Sequence, residues 1–435
     1  MDHLVSAYGA VGNGIADDTQ AVQKALDACA KAGGGRVVIE DGMTCLTDSL
    51  RLGSHTELYL GNGAVLRATG DLDHYFRPDQ PTVEDSMKHV GTPVLGKPSY
   101  VYLYAKGAED VKVTGFGRID GHGDAFVHRV SPYYVTGDFY PRPTLVYFED
   151  CRHVTFRDVT LGNVAFWTLH IAGCYDVLMQ GIRILNPLDV ANSDGIDVDH
   201  SQQVRILGCH VECADDCVCM KNTKGDREYP HTQDVIVSGC TLVSTSAAIK
   251  FGTEGVDDFE DVVVSDCIIS RSNRGISIQI RDGGCVKNVT FRSILIGTRR
   301  FAESWWGCAE PIAITAFDRD EETHGGSIED IRFYDVVCEG ENGAVIFGMP
   351  GRIRDITFEN VQVRLKATSK WPKDRYDLRP TNVVEDIQER PSVPFLLHGA
   401  EGVTLRHVRT GGFDGARDLP EHIVTEECTG VKIEP

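Results

Sequence analysis

The chain has 435 residues, 14 cysteines and a formal net charge of −21 at pH 7. This charge argues against nucleic acid and anionic membranes as partners, and mildly against a long polyanionic substrate. No apolar run reaches the roughly eighteen residues of a membrane span, and the N-terminus lacks the basic and apolar regions of a signal peptide. For the sequence as given we expect no membrane association and a cytoplasmic location, or secretion if an export signal has been removed. The oligomeric state is left open.

Residues 1–40 predict an N-terminal cap that leads into a first strand. Asp17 or Asp18 is a natural N-cap for a helix over Gln20–Ala32, and Gly33 begins the run of glycines that would end it. A single amphipathic helix before a stack of strands would cover the open hydrophobic end of that stack. The apolar residues at helical spacing are Ala21, Val22, Ala25, Leu26 and Cys29.

A short pattern, one polar residue followed by alternating β-branched or aromatic positions, recurs along the rest of the chain. Asp176-Val177-Leu178-Met179 is one example, and gaps of 23, 27, 31, 27 and 27 residues separate six consecutive copies. A regular period with alternation inside each unit, and no helical segment between units, predicts stacked parallel coils of β-strand. We expect one all-β solenoid domain over residues 1–435, with a long loop at residues 366–391. The first apolar positions are 111, 154, 177, 204, 235, 262, 289, 331, 356 and 403.

Three cysteines support this stacking. Cys209, Cys240 and Cys267 each lie five residues after the first apolar position of their unit, where other units have valine or isoleucine. We therefore expect core residues rather than zinc ligands, because no second pair of cysteines accompanies them at zinc-site spacing. Core cysteines that stay reduced favour a reducing compartment.

Two acidic motifs carry the chemistry. Asp194 lies in Asn192-Ser193-Asp194-Gly195, and Asp215 follows 21 residues later, directly before Asp216. This separation is about one coil, so we expect Asp194 and Asp215 at equivalent positions roughly 4.8 Å apart. Such motifs can be surface turns rich in aspartate. Two such motifs in register would bring carboxylates together, and their repulsion would not stabilise the fold. Acid/base hydrolysis, by contrast, needs carboxylates in such an arrangement.

These motifs, in this order, resemble those of the polygalacturonase-like glycoside hydrolases of family 28, of a divergent bacterial type. The likeness extends from about Ala7 to Val408. Asn192-Ser193-Asp194-Gly195 is similar to the family's Asn-Thr-Asp-Gly, and Asp215-Asp216 to its paired aspartates. Tyr8–Gly14 resembles its N-terminal cap, while Arg142-Pro143 and Phe166-Trp167-Thr168-Leu169-His170 are similar to segments before the site.

The resemblance implies a right-handed parallel β-helix and hydrolysis with inversion of a pectin-type or related plant oligosaccharide. Asp215 would be the general acid, and Asp194 and Asp216 would activate the attacking water. Carboxyl groups about 6.5–9.5 Å apart would leave room for that water. The resemblance implies no cofactor and no metal.

Further side chains are expected to contact the sugar, although several have plain structural alternatives. His170 could instead be a residue at the edge of the core, and Glu254 and Glu310 could instead be solvated surface carboxylates. If the two adjacent tryptophans lie in a strand, only one of them can face the sugar. The expected substrate-binding residues are Asn192, His170, Asp197, Lys221, Lys250, Glu254, Arg281, Trp306 and Glu310.

The chain departs from the family at two places. Residues 245–252 lack the family's Gly-His-Gly histidine, and Ser277 and Gln279 stand where the family has an Arg-Ile-Lys that grips the substrate carboxylate. Lys250 and Arg281 are the candidates to replace those cations, since arginine suits a carboxylate and both follow the paired aspartates.

Two other functions remain open at this point. A β-eliminating polysaccharide lyase would use the clustered aspartates for calcium and a nearby lysine as base. A carbohydrate-binding solenoid without catalysis would need no such cluster. For a hydrolase, the long insertions Gly297–Gly326 and Lys366–Pro391 could wall one end of the site, and they predict exo-type action.

Overall fold

The computed structural model describes residues 1–78, 100–127, 142–225, 229–303, 305–412 and 422–435. These residues form a parallel β-helix whose coils each contribute strands to three faces. The predicted all-β solenoid is confirmed. No helix among the described residues is long and apolar enough to cross a membrane.

Face 1 is a sheet of twelve parallel strands within the described chain, and it holds the acidic motifs. Its strands are Leu50–Arg51, Val101–Lys106, Thr144–Glu149, Leu169–Ala172, Ile196–Asp199, Val218–Asn222, Ala247–Gly255, Arg274–Ile280, Ile312–Ala316, Ala344–Gly348, Phe395–His398 and Ile423–Glu426.

Face 2 follows face 1 in each coil and carries the repeated pattern seen in the sequence. Its strands are Asp2–Leu4, Gly35–Ile39, Thr56–Leu60, Lys112–Gly115, Arg152–Arg157, Tyr175–Gln180, Gln202–Leu207, Thr232–Ser238, Phe259–Ser265, Val286–Thr298, Ile328–Gly340, Ile353–Glu359, Ala400–Glu401, Thr404–Arg406 and Lys432–Glu434.

Face 3 closes each coil, and two face 2 strands, Val286–Thr298 and Ile328–Gly340, continue into it. Its own strands are Asn13–Asp17, Thr44–Thr47, Val65–Ala68, Arg118–Asp120, Thr160–Gly162, Arg183–Leu185, His210–Cys213, Thr241–Ser244, Ile268–Ser272, Gln362–Leu365 and Arg409–Gly411.

The polar residue of the repeated pattern has a conformational role. In all ten units the residue before the first apolar position, such as Asp176 or Asp234, has φ between 53° and 65°. This left-handed conformation is tolerated best by aspartate, asparagine and glycine, because other side chains clash with their own backbone. The pattern therefore marks a left-handed residue that recurs in or just before the strands of face 2.

The cap is present where the sequence places it. The helix spans Thr19–Lys31, and the five predicted apolar residues are its buried ones. Asp18 precedes the helix, but its carboxylate accepts hydrogen bonds from the backbone N–H of Val11 (2.6 Å) and Gly12 (3.0 Å) rather than from the helix. Asp18 therefore fixes the preceding loop. Short 3₁₀ helices span Val5–Tyr8, Leu72–His74 and Gly123–Ala125.

A single apolar core runs through the coils from Val5 to Leu405. Cys209, Cys240 and Cys267 are buried in it as predicted, and all 14 cysteines are free thiols. Side chains at equivalent positions stack from coil to coil, as in the ring stack of Phe291, Phe333 and Phe358 with centroids 4.9 and 4.7 Å apart.

The segment at residues 366–391 is more than a loop. Within it, Arg375–Asp377 and Ile387–Glu389 pair as antiparallel strands. Tyr376 and Leu378 pack onto the outward side chains of face 1, including Ala313 and Val345. We call this segment, together with Trp305 and Trp306, the wall. It covers face 1 on the C-terminal side of the acidic motifs.

Candidate active site

The two acidic motifs lie on adjacent coils, but the register differs by one residue from our expectation. Ile196 pairs with Val218, and the N–H of Gly195 donates to the Asp216 carbonyl over 2.9 Å. The coil length here is therefore 22 residues, not 21, and Asp216 rather than Asp215 lies opposite Asp194. Asp215 sits one residue earlier, at the turn that leads into face 1.

One carboxylate oxygen from each of Asp194, Asp215 and Asp216 lies within 4.8 Å of the others. This oxygen spacing is shorter than the 6.5–9.5 Å separation expected from the sequence. All three side chains are buried, with 3–6% of their surface exposed. We call these three residues the acid cluster.

Neighbouring backbone and hydroxyl groups orient the acid cluster. Asp216 Oδ1 accepts hydrogen bonds from Ser246 Oγ (3.0 Å) and the Ala247 N–H (3.1 Å) in the next coil. Asp215 Oδ2 accepts from the Asn192 N–H over 3.3 Å. Asp194 Oδ1 has no hydrogen-bond partner among the described residues. The cluster is thus anchored on one side and open on the other.

Asn192 is held in turn by Arg142. The Arg142 guanidinium donates to Asn192 Oδ1 (2.9 Å) and to the carbonyls of Ala165 (2.9 Å) and Ala191 (2.6 Å). Arg142 is buried. It therefore ties together the two turns that precede the face 1 strands of Asp194 and His170.

Asp194 and Asp215 have raised pKa values. Burial, with the Asp216 carboxylate as the next cause, raises the pKa of Asp215 to about 7. Burial, followed by the charges of Asp215 and Asp197, raises the pKa of Asp194 well above its ordinary value. An acid whose pKa lies near neutrality can hold a proton and release it at neutral pH.

Asp197 and Lys221 lie beside the cluster on face 1. Lys221 Nζ is 2.8 Å from Glu254 Oε2, 3.9 Å from Asp197 Oδ1 and 4.8 Å from the centre of the Trp167 ring. Burial opposes the charge of Lys221, but Cys219 and the nearby carboxylates outweigh it and hold its pKa well above the ordinary value.

The carboxylates around Lys221 respond differently. Burial raises the pKa of Asp197 well above its ordinary value, because neither of its oxygens has a hydrogen-bond partner in the described chain. Burial opposes ionisation of Glu254 too, but the Lys221 ammonium lowers that pKa to about 2.

His170 is opposite Asp197 in the preceding coil. Its Nε2 lies 3.0 Å from Asp199 Oδ2, and the Asp199 carboxylate also accepts from the N–H and hydroxyl of Thr223. Its Nδ1 has no hydrogen-bond partner among the described residues. Sequence reasoning missed Asp199, although strand alternation from Asp197 would have put it on the same face.

The wall buries two of the predicted substrate-binding residues, Arg281 and Glu310, and the structure does not bring them to the acid cluster. Arg281 is fully buried and donates to the carbonyls of Pro380 (2.8 Å) and Leu378 (2.8 Å), so its guanidinium is engaged by the wall. Glu310 is also fully buried. Its oxygens accept from Arg274 Nε (3.2 Å) and the Cys308 N–H (2.7 Å).

Glu310 belongs to a second group of buried charges. Arg274 Nε is 3.2 Å from Glu310 and its Nη2 is 3.8 Å from Asp377, which forms two hydrogen bonds of 2.9 Å with the Arg379 guanidinium. We call these four residues the wall cluster. They attach the wall to face 1.

The two adjacent tryptophans lie on the same side, with ring centroids 6.0 Å apart, because this stretch is a bend rather than a strand. Trp305 packs on Ala191 and Ala214 and donates from Nε1 to the Ala214 carbonyl over 3.2 Å. Trp306 stacks against Arg379. Trp305, which sequence reasoning passed over, is therefore the tryptophan beside the turns of Asn192 and Asp215.

Comparison with known proteins agrees with this geometry. The model of the family described as glycosyl hydrolases family 28 matches residues 95–372. The chain belongs to this family. It is therefore an O-glycosyl hydrolase, as the resemblance implied.

The chain is similar to a probable polygalacturonase from Vitis vinifera, with 29% identity over 377 residues, covering 83% of this chain and 74% of the relative. Among solved structures it is similar to an exopolygalacturonase from Thermotoga maritima, with 16% identity and a TM-score of 0.71, covering 94% and 92% of the two chains. A family 28 exopolygalacturonase from Yersinia enterocolitica has 16% identity and a TM-score of 0.69, covering 98% and 78%. The predicted right-handed parallel β-helix is confirmed.

Proposed function

We propose that the protein hydrolyses a pectin-type or related plant oligosaccharide with inversion at the anomeric carbon. The observation that carries the proposal is the acid cluster, three buried carboxyl groups within 4.8 Å in which burial raises the pKa of Asp215 to about 7. That pKa lets Asp215 hold a proton and donate it to the leaving oxygen at neutral pH.

Asp194 and Asp216 would hold and deprotonate the attacking water. Oxygens up to 4.8 Å apart suit one water that donates to both, since each hydrogen bond would be about 2.8 Å long. Lys250 Nζ lies 3.8 Å from Asp216 Oδ2, on the side of that carboxylate away from its backbone hydrogen bond to Oδ1. The proton that leaves the water passes to this pair as the glycosidic bond breaks.

Exo-type action is the second element of the proposal. The wall buries the outward side chains of face 1 at Ala313 and Val345, so the site is closed on its C-terminal side. A long polymer could not cross the site on that side, whereas a chain end could be accommodated. Two of the similar solved structures are exopolygalacturonases by name, which supports the same choice.

Proton NMR of the first-formed product tests the mechanism. Hydrolysis of an α-linked oligogalacturonide should release the β anomer first, and only mutarotation should produce the α anomer. Retention would contradict the role of Asp194 and Asp216, because a short carboxylate separation also suits a nucleophile and an acid. In the same reaction, release of monomer without a rapid fall in polymer viscosity is expected for exo action.

The lyase is the alternative that the oxygen spacing itself allows, because three carboxylates within 4.8 Å could bind a calcium ion. A β-eliminated product absorbs in the near ultraviolet, and a lyase of this kind would stop when calcium is chelated. We expect neither an absorbance increase nor an effect of chelator.

A further inference from the structure

One buried ion pair lies beside the acid cluster without belonging to it. Lys221 Nζ donates to Glu254 Oε2 over 2.8 Å and is 3.9 Å from Asp197 Oδ1. The Lys221 side chain is 5% exposed and that of Glu254 is 13% exposed. Enclosed ion pairs lose solvation, and replacing them with apolar residues of similar volume is often neutral or stabilising for a fold. Stability alone therefore does not account for a pair at this place.

The Lys221 side chain reaches across face 1 towards the acid cluster. Its backbone is opposite Asp199 in the preceding coil, but its ammonium group lies 4.8 Å from the centre of the Trp167 ring. Trp167 comes directly before Thr168, whose N–H donates to the Asp194 carbonyl over 2.9 Å. The ammonium group is therefore displaced from its own backbone position towards the turn that carries Asp194, where the aromatic face of Trp167 favours a cation.

Glu254 is itself held in place by its neighbours in the chain. Arg319 donates to the Thr253 carbonyl (3.4 Å) and to Asp282 Oδ2 (2.7 Å), and the Gly255 N–H donates to the same Asp282 oxygen over 3.3 Å. The residues on both sides of Glu254 are thus tied to one buried ion pair. This fixes the place of the Glu254 carboxylate, and with it the place of the ammonium group that it contacts.

The carboxyl groups near Lys221 have few hydrogen-bond partners of their own. Neither oxygen of Asp197 has one in the described chain, nor has Oδ1 of Asp194, and Asp215 Oδ2 accepts from the Asn192 N–H over 3.3 Å. Nearby charges then weigh heavily in the ionisation of such groups. Burial and the neighbouring carboxylates raise the pKa of Asp194 and of Asp215, and the Lys221 charge opposes that rise in both.

We propose that Glu254 is a positioning residue that holds the Lys221 ammonium beside the acid cluster, and that this positive charge sets the pH range of hydrolysis. The inference rests on the proposed function, because it concerns the carboxyl groups to which proton transfer is assigned there. Lys221 favours the ionised form of these carboxyl groups, and the negative charge of Glu254 opposes it. The two residues therefore act on the acid cluster in opposite directions, which a purely structural pair would not do.

Besides the residues already named, four strands bring charged or titratable groups to the surroundings of this pair. The groups on the two preceding strands lie 3.0 Å from each other, and the cation on the following strand lies 3.8 Å from the acid cluster. The thiol on the Lys221 strand stays uncharged, because burial raises its pKa well above the ordinary value. These groups are His170, Asp199, Lys250 and Cys219.

The test is the pH profile of kcat/KM for trigalacturonate, with wild-type protein, Lys221→Met, Lys221→Arg and Glu254→Gln. Removing the cation makes the acid cluster hold its protons more tightly, so Lys221→Met should move both limbs of the profile up by about one pH unit. Glutamine keeps an acceptor for Lys221 but removes the negative charge, so Glu254→Gln should move both limbs down. Lys221→Arg keeps the charge and should keep the wild-type limbs.

The matched controls are Lys287→Met and Glu260→Gln, which change a lysine–glutamate pair between adjacent strands of face 2. Both should leave the profile where it is in the wild-type protein. Variants of Lys221 and Glu254 that lose rate or stability while their limbs stay at the wild-type pH would overturn the inference. A shift of both variants in the same direction would overturn it as well.

Infrared titration of the protonated carboxyl band follows the same groups without turnover. Comparison of wild-type protein with Asp215→Asn identifies the part of the band that belongs to Asp215. That part should persist to higher pH in Lys221→Met and disappear at lower pH in Glu254→Gln, and an unchanged band would overturn the inference. If wild-type protein hydrolyses no oligogalacturonide, the proposed function fails, and this titration still decides whether the pair controls the acid cluster.

Discussion

Two groups of buried charges lie on the same face of this β-helix, and they are built in opposite ways. In the wall cluster, each of Arg274, Glu310, Asp377 and Arg379 has an oppositely charged partner, and Arg274 with Arg379 helps to hold the pKa of Asp377 below its ordinary value despite burial. In the acid cluster, like charges face one another, and burial raises the pKa of Asp194 and Asp215.

The difference shows that the wall cluster has a structural role and that the acid cluster is arranged for proton transfer. Paired buried charges attach one segment to another, and losing one member leaves its partner uncompensated. Crowded carboxylates destabilise the fold, and they are kept because proton transfer needs groups whose pKa values are shifted. Burial alone would not have distinguished the two groups, since the carboxyl groups of both clusters are buried.

The largest expected effect is on turnover, when the acid cluster loses its proton donor. Asp215→Asn should lower kcat by about 10²–10⁴-fold, because the leaving oxygen then has no general acid. The melting temperature should hold or rise slightly, since carboxylate repulsion is relieved. Asp234→Asn, at an exposed position of face 2 where asparagine also tolerates the φ of 57°, should change neither quantity. An Asp215→Asn protein with more than half of normal activity on a natural substrate would refute the assignment.

The next effect is on stability, when the wall cluster is broken. Arg274→Met should cost about 3–5 kcal/mol of unfolding free energy, because it leaves Glu310 and Asp377 buried without their shared cation. Arg354→Met removes a half-exposed pair with Glu329 and should cost less than about 1 kcal/mol. Denaturant unfolding of the two variants gives the comparison. Equal losses would mean that the wall cluster contributes no more than a surface pair.

The smallest expected effect is on how stability depends on pH, which should differ in sign between the acid cluster and the wall cluster. The folded-state pKa of Asp194 is raised, so its ionisation costs stability as pH rises above about 4. Asp194→Asn should therefore raise the melting temperature at pH 8 by roughly 2–4 °C, with the gain shrinking towards pH 4.

Asp377 provides the opposite case for the same measurement. Its folded-state pKa is lowered, so its charge stabilises the fold above about pH 4 and that contribution is lost on acidification. Asp377→Asn should lower the melting temperature by a nearly constant amount between pH 8 and pH 4, and its loss should shrink only below pH 4. Melting curves of both variants across this range should diverge with rising pH; parallel curves would contradict the contrast between the clusters.

The sequence by itself determined the coil and its core. The repeated polar residue with its alternating neighbours predicted the strands of face 2, and Cys209, Cys240 and Cys267 marked interior positions, because a side chain's face follows from alternation along its own strand. The cap helix was also predictable, since its apolar spacing and flanking residues are local. The acid cluster was also predictable, because each of its two motifs is a short local sequence.

Tertiary structure alone decided the register and the wall. A shift of one residue brought Asp216, not Asp215, opposite Asp194, because the lengths of the turns set the register and strand alternation does not. Arg281 and Glu310 stand next to face 1 strands, but the wall covers them, and for Arg281 the covering residues are about one hundred positions away in the sequence. Contacts at that distance depend on where a loop folds back, and no local pattern in the sequence records it.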